Sequence, residues 1–215
     1  MQGDLSSVRI GYTDSYTETE LPVTKVLVCA GAWTPEVFQR LFPQASVKIP
    51  VGSLAGHSLA VKTPGPVSDV HYSVYCTIGN YSTELYSRPS GIIYIAGVNS
   101  PGMPLPPLAT GAKAVEGSQA ELKKIASALI KSDGDLEVVR SGLCFRPVTN
   151  SGLPILGRVP DDKLGMSTRS GAEGGVFVAA GHGPWGISLS LGTGKAMSEL
   201  ILGKDTSADI DALNI

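Results

Sequence analysis

Two kinds of hydrophobic pattern alternate along this chain. Val26 to Cys29 (VLVC) and Gly175 to Ala180 (GVFVAA) are continuous apolar runs, the pattern of strands covered on both faces. Each leads into a glycine-bearing turn and then a helix. Between them, short runs rich in β-branched and aromatic residues (SLAVK, YSVYCT, IIYIAG, LEVVRSGLC) alternate with turns of Gly, Pro, Ser and Asn, which predicts a largely antiparallel sheet. Ser7 to Tyr12 predicts a further strand, joined to the first apolar run by the polar connection DSYTETELP. The first predicted helix has Thr34 as N-cap, Pro35 at its first position and Val37, Phe38 and Leu41 on its apolar face. A second opens with a capping box, Ser118 and Glu121, and places Leu122, Ile125, Ala126 and Leu129 on one side. A third runs from about Ile187 to Leu202, with Gly203 past its end. PILG predicts a short strand, and PGMPLPPLATG a surface connection. The fold class is therefore α/β, more fully α+β: pieces at 1–44 and 146–215 flank a β-rich insertion at 45–145 that carries one helix.

Composition narrows the function. Of 215 residues, 42% are hydrophobic and 17% charged, as in a globular protein. The net charge of −2, with no basic stripe, gives no case for nucleic acid or for an anionic membrane surface. Cys29, Cys76 and Cys144 form no CxxC pair, and their odd number argues against a disulfide framework. MQGDLSSVRI has neither the charged start nor the apolar stretch of a secretory leader, and no apolar run is long enough to span a bilayer. The expectation is a soluble, intracellular, cytoplasmic protein. His57 and His71 have no partners at ligand spacing, so no metal site is expected.

The stretch with most chemistry is VFVAAGHGPWGISLSLGTGK. Glycines at a helix mouth let a ligand approach the backbone, and the free amides and helix dipole there favour negative charge. A phosphate fits such a place, as does a flavin ring that becomes anionic on reduction. The plainer alternative is a tight strand-to-helix turn.

Three stretches in register resemble the D-amino-acid-oxidase-like family of FAD-dependent oxidoreductases. They are VLVCAGAWT (Val26 to Thr34), CFRPVTNSGLPILG (Cys144 to Gly157) and the late GHGPWGI (Gly181 to Ile187). LYSRPSGIIYIAG and AGHSLAVK are similar to the substrate domain of fungal members. The resemblance implies an FAD-binding Rossmann-like domain, incomplete here, with the antiparallel β-rich part inserted as the substrate domain. It implies FAD contacts from Ala30, Gly31, Ala32 and Trp33, and from Gly181, His182, Gly183, Pro184, Trp185, Gly186 and Ile187. Arg146 matches the arginine that clamps a substrate carboxylate, a task suited to a planar two-pronged guanidinium; a structural ion pair is its alternative role. Trp185 is expected to shape the substrate pocket, with covering the helix start as its alternative role. Tyr94 falls in the reaction site near where sarcosine oxidases carry a lysine that helps activate oxygen, which leaves oxidase against dehydrogenase open. The residues around Cys144 depart from the thioether pattern of sarcosine oxidases, so the flavin is expected to be non-covalent and Cys144 an apolar core residue. Cys29 is expected to be buried and inert. His182 is expected to be a turn residue.

One family element has no match. No strand, G-x-G-x-x-G and helix occur in the early part of the chain, where the family seats its pyrophosphate. The expectation is the carboxy-terminal part of an amine or amino-acid oxidoreductase, through truncation, gene decay or a deliberate fragment. Such a chain would be inactive alone. A non-catalytic interaction module is the alternative, and an NAD-linked Rossmann dehydrogenase suits the β-rich insertion and the tail less well.

Overall fold

The computed structural model describes residues 5–63, 69–132 and 134–215; the first four residues of the leader reading lie outside them. The chain forms two compact units, Met1–Gly52 with Arg146–Ile215, and Ser53–Phe145.

The first unit is built on a three-stranded sheet. Strand β3 (Lys25–Val28) and strand β10 (Gly175–Ala180) are parallel neighbours, with Lys25 opposite Gly175 and Val28 opposite Val178. Strand β9 (Ile155–Val159) pairs antiparallel on the other side of β10. The central strand explains the continuous apolar run. Val176 and Val178 are buried with Phe38, Phe42 and Val159, while Phe177 is buried on the opposite face with Leu156 and Met197. Each such side chain contributes about 1.5–3 kcal/mol by leaving water. β3 differs from its expectation, because it is the edge strand of the sheet and Leu27 is exposed.

Helix α1 (Thr34–Leu41) begins one position earlier than the sequence predicts. A 3-10 turn at Gly31–Trp33 feeds directly into it, so Trp33 is the N-cap and Thr34 is already helical. The Thr34 hydroxyl is buried with no hydrogen-bond partner among the described residues. A short helix, α3 (Asp161–Leu164), follows β9, and helix α4 (Gly186–Ile201) ends as predicted: Gly203, at φ +68°, donates to the Leu200 carbonyl and Lys204 to that of Glu199. The polar connection DSYTETELP contains a strand, β2 (Glu18–Pro22), paired with β1 (Ser7–Gly11) in an exposed hairpin. Its polarity hid it, because no position of β2 is buried.

In the second unit five strands lie in the order β5-β6-β7-β4-β8. They are β4 (Gly52–Lys62), β5 (Ser73–Ile78), β6 (Tyr81–Arg88), β7 (Ile92–Ser100) and β8 (Glu137–Val148). β5 and β6 form a tight hairpin through Gly79 and Asn80, with Gly79 at φ +56°. Helix α2 (Glu116–Leu129) packs Leu122, Ile125 and Ala126 onto Leu59, Val61, Leu85 and Ile95 of one sheet face. The predicted capping box does not form. The helix starts at Glu116 after Val115, which leaves Ser118 inside the first turn and Glu121 paired with Lys124 at 3.3 Å.

Candidate functional site

The two glycine turns of the first unit end neighbouring parallel strands. β3 leaves through Cys29 and Ala30 into Gly31, at φ +55°. β10 leaves through Gly181, at φ +82°, and His182 into Gly183, at φ +56°. Positive φ is nearly free for glycine and costs other residues about 1–2 kcal/mol. A Cβ at Gly181 would lie 2.7 Å from Thr149 Cγ2, so this glycine serves packing. At Gly31 and Gly183 a Cβ would meet open space, which leaves the backbone there accessible.

Beside these turns lies a cavity of about 590 Å³. Leu27 and Cys29 form one wall, Ala179 and Ala180 another. Helix α4 presents Gly186, Ser190, Gly194 and Ser198, four residues apart and so on one helical face. No acidic residue stands in the first turn of α4, so nothing there offsets the positive end of its dipole.

The cavity brings together Gly31, His182, Gly183 and Gly186 of the residues expected to touch FAD. Ala30, Ala32, Trp33, Gly181, Pro184, Trp185 and Ile187 do not line it. Ala32 is buried in the core, whereas Trp185 and Ile187 are exposed, Ile187 by 94%. The sequence reading missed the stripe through Ser190, Gly194 and Ser198. The four-residue spacing of small side chains was the available signal.

His182 Nε2 lies 3.0 Å from Thr193 Oγ1, which ties the turn to the helix it opens. Burial pushes the His182 pKa below its ordinary 6.5. The unfolded chain therefore takes up this proton first as the pH falls through about 6.5, and stability is lost from there downward. A His182→Gln variant should show a shallower fall of unfolding free energy between pH 7 and 5, measured by urea titration at each pH. An unchanged slope would remove His182 from the acid response.

Two cysteines depart from expectation. Cys29 is exposed, not buried, because alternate positions Leu27 and Cys29 point into the open cavity. The atoms around it still push its thiol pKa up, partly offset by a hydrogen bond with the Ala179 backbone. Cys144 is exposed rather than part of the core; its Sγ donates to the Gly56 carbonyl at 3.7 Å. Arg146 is half-buried on β8, in the first unit. Tyr94 is half-buried on β7 in the second unit, beside Tyr86. No three His, Cys, Asp or Glu side chains come together to hold a metal among the described residues. No helix among them is long and apolar enough to cross a membrane.

Residues 4–200 match the family model of the FAD dependent oxidoreductases, known as DAO. The chain belongs to this family. FAD is the family's cofactor. A Schizosaccharomyces pombe protein named provisionally as an oxidoreductase is 31% identical over 204 residues, covering 93% of this chain and 47% of that protein. Glycine oxidase of Geobacillus kaustophilus is 26% identical over 207 residues, covering 96% and 48%. The crystal structure of that organism's glycine oxidase matches with a TM-score of 0.70 at 25% identity, covering 91% of this chain and 46% of the other. Iminodiacetate oxidase from Chelativorans sp. BNC1 shares the fold at a TM-score of 0.72 and 16% identity, covering 96% and 49%. The chain thus spans about half the length of the relatives it matches.

The residues present fit the ring end of the family's cofactor. Apolar walls suit a flat aromatic system, and the accessible backbone at the mouth of α4 suits a ring edge that becomes negative on reduction. The early G-x-G-x-x-G that would hold the pyrophosphate is not among these 215 residues.

Proposed function

We propose that this chain forms the ring-side wall and the substrate sheet of an oxidoreductase acting on an amine or amino-acid-like carboxylate. The observation that carries this reading is the cavity between Gly31, Gly183 and the small-residue face of α4, at the ends of two parallel strands. When bound, FAD would supply the acceptor for the hydride of the C–H bond on the amine-bearing carbon, whose carbon–nitrogen bond becomes an imine as nitrogen gives up a proton. The protein's own part is to place and to polarise. Gly183 and Gly186 bring free backbone amides and the α4 dipole to one edge of the cavity, where they stabilise developing negative charge. Arg146 holds the substrate carboxylate, and Trp185 shapes the reaction site. In this reading residues 1–44 and 146–215 serve the flavin and 45–145 the substrate. The flavin is held without a covalent bond.

Gly183→Val tests the pocket. The branched side chain enters the open space at a position of positive φ, and the bulk alone should weaken FAD binding at least tenfold, or about 1.4 kcal/mol. Flavin fluorescence quenching in wild type and variant measures this. Equal affinities would remove Gly183 from the pocket. Acid precipitation of the flavin-loaded protein should leave all colour in the supernatant; fluorescence on the denatured chain that Cys144→Ser abolishes would contradict non-covalent binding.

A further inference from the structure

The face of the five-stranded sheet opposite helix α2 carries a second feature, confined to the second unit. Leu59, Val61, Leu85 and Ile95 turn toward α2, so the alternate positions turn away from it. Register places Ala60 opposite Tyr94, and Tyr94 opposite Tyr86. Here lies a cavity of about 220 Å³ whose walls include Ser58, Arg88, Tyr94, Arg140 and Gly142.

Two guanidinium groups share this small space. Arg88 stacks over the Tyr94 ring, its central carbon 5.1 Å from the ring centroid. Stacking uses the flat face of a guanidinium and leaves its N–H edge free to donate. Among the described residues neither Arg88 nor Arg140 forms an ion pair. Two like charges facing one cavity without a counter-charge repel, and an anion between them removes that repulsion. At Gly142 a Cβ would come within 2.8 Å of Ser58 Oγ, so the missing side chain leaves that hydroxyl its place in the wall.

We infer that Arg88 and Arg140 form a binding site for a small dicarboxylate, with Ser58 and Tyr94 lining it. The cavity volume decides the size. At roughly 30 Å³ of liquid per water it holds about seven waters, enough for an acid of a few carbons and too little for a nucleotide. Charge and shape decide the class. Each planar fork takes one carboxylate through two parallel hydrogen bonds, and two forks balance two negative charges. None of these residues lines the cavity of the first unit; the site lies in the part proposed to serve the substrate and rests on that reading for its role, while titration of the flavin-free chain tests the binding alone.

The test is a malonate titration of the flavin-free chain labelled with ¹⁵N, observing the arginine Nε–H signals, with inorganic phosphate as a parallel titrant. Malonate should shift the Arg88 and Arg140 signals saturably, and phosphate should bind more weakly. Arg140→Gln should weaken malonate binding at least tenfold, and the Arg88→Gln/Arg140→Gln double variant should abolish saturation. Arg140→Lys should fall between wild type and Arg140→Gln, because it keeps the charge and loses the fork. Should the double variant fail to fold, the exposed single substitution Arg140→Gln decides alone. Three results would each overturn the inference: no saturable shift, an unchanged dissociation constant in Arg140→Gln, or phosphate binding more tightly than malonate.

Discussion

In flavin-loaded protein, Arg146→Met should raise the dissociation constant of a simple carboxylate inhibitor about a hundredfold or more while leaving FAD in place. The residue stands half-buried on β8, just before Pro147, which lines the cavity proposed to take the flavin. A charged hydrogen bond is worth about 1.5–3 kcal/mol, which corresponds to roughly ten- to hundredfold in affinity. Arg146→Lys retains the charge but loses the two-pronged geometry, so a loss within that range is expected. Methionine removes both and should do worse, with neutral amines becoming relatively better ligands. Titration of flavin absorbance with a carboxylate checks both variants. Equal affinity in wild type and Arg146→Met would leave Arg146 a structural residue.

The largest stability effect is expected at Gly97. Pairing of β4 with β7 slips between His57 and Ser58, which face Val98 and Ala96, so Gly97 is the extra residue of a β-bulge. Its φ is +134°, and a Cβ there would lie 2.5 Å from the Ser82 carbonyl oxygen and 2.8 Å from Thr83 Cα. Both obstacles are backbone of the adjacent strand and cannot rotate away. Strain at such a φ costs about 1–3 kcal/mol and overpacking about 1–3 more. Gly97→Ala should therefore lose roughly 2–6 kcal/mol, a large part of a typical 5–15 kcal/mol stability. Gly117→Ala is the control: it sits in the first turn of α2 with nothing within 4 Å of the added methyl and should be neutral or slightly stabilising. Urea unfolding of the two variants makes the comparison. A Gly97→Ala protein as stable as Gly117→Ala would show that the strands can part at the bulge.

What could be read from the residues follows from how each element is stabilised. β10 was legible because both of its faces are buried, so every position is apolar. The end of α4 was legible because Gly203 is needed at a left-handed position. β2 was not, since a strand held by backbone pairing in an exposed hairpin leaves no apolar mark. At Thr34 the predicted cap yields because the 3-10 turn at Gly31–Trp33 already curls into the helix; α2 starts at Glu116, two residues before Ser118, from an extended Val115. Within the candidate site, the glycine turns stood out as motifs. The wall made by Leu27, Cys29 and the α4 stripe needed the sheet, because it joins residues from opposite ends of the chain.

The slip at Gly97 belongs to a unit inserted between β3 and β10, and that insertion bears on the order of folding. Lys25 and Gly175 are direct neighbours although 150 positions separate them along the chain. Bringing such distant segments together is entropically slow. The inserted unit runs from Ser53 to Phe145, and its entry and exit lie on β4 and β8, adjacent strands of one sheet. Once that sheet exists, the loop that β3 and β10 must close shrinks to about a third of its length, a saving of roughly 0.9 kcal/mol by the logarithmic closure law. The antiparallel sheet, with its local hairpins, thus acts as a clasp that shortens the search for the parallel pair, and the cavity beside Gly31 and Gly183 forms only after that pair closes.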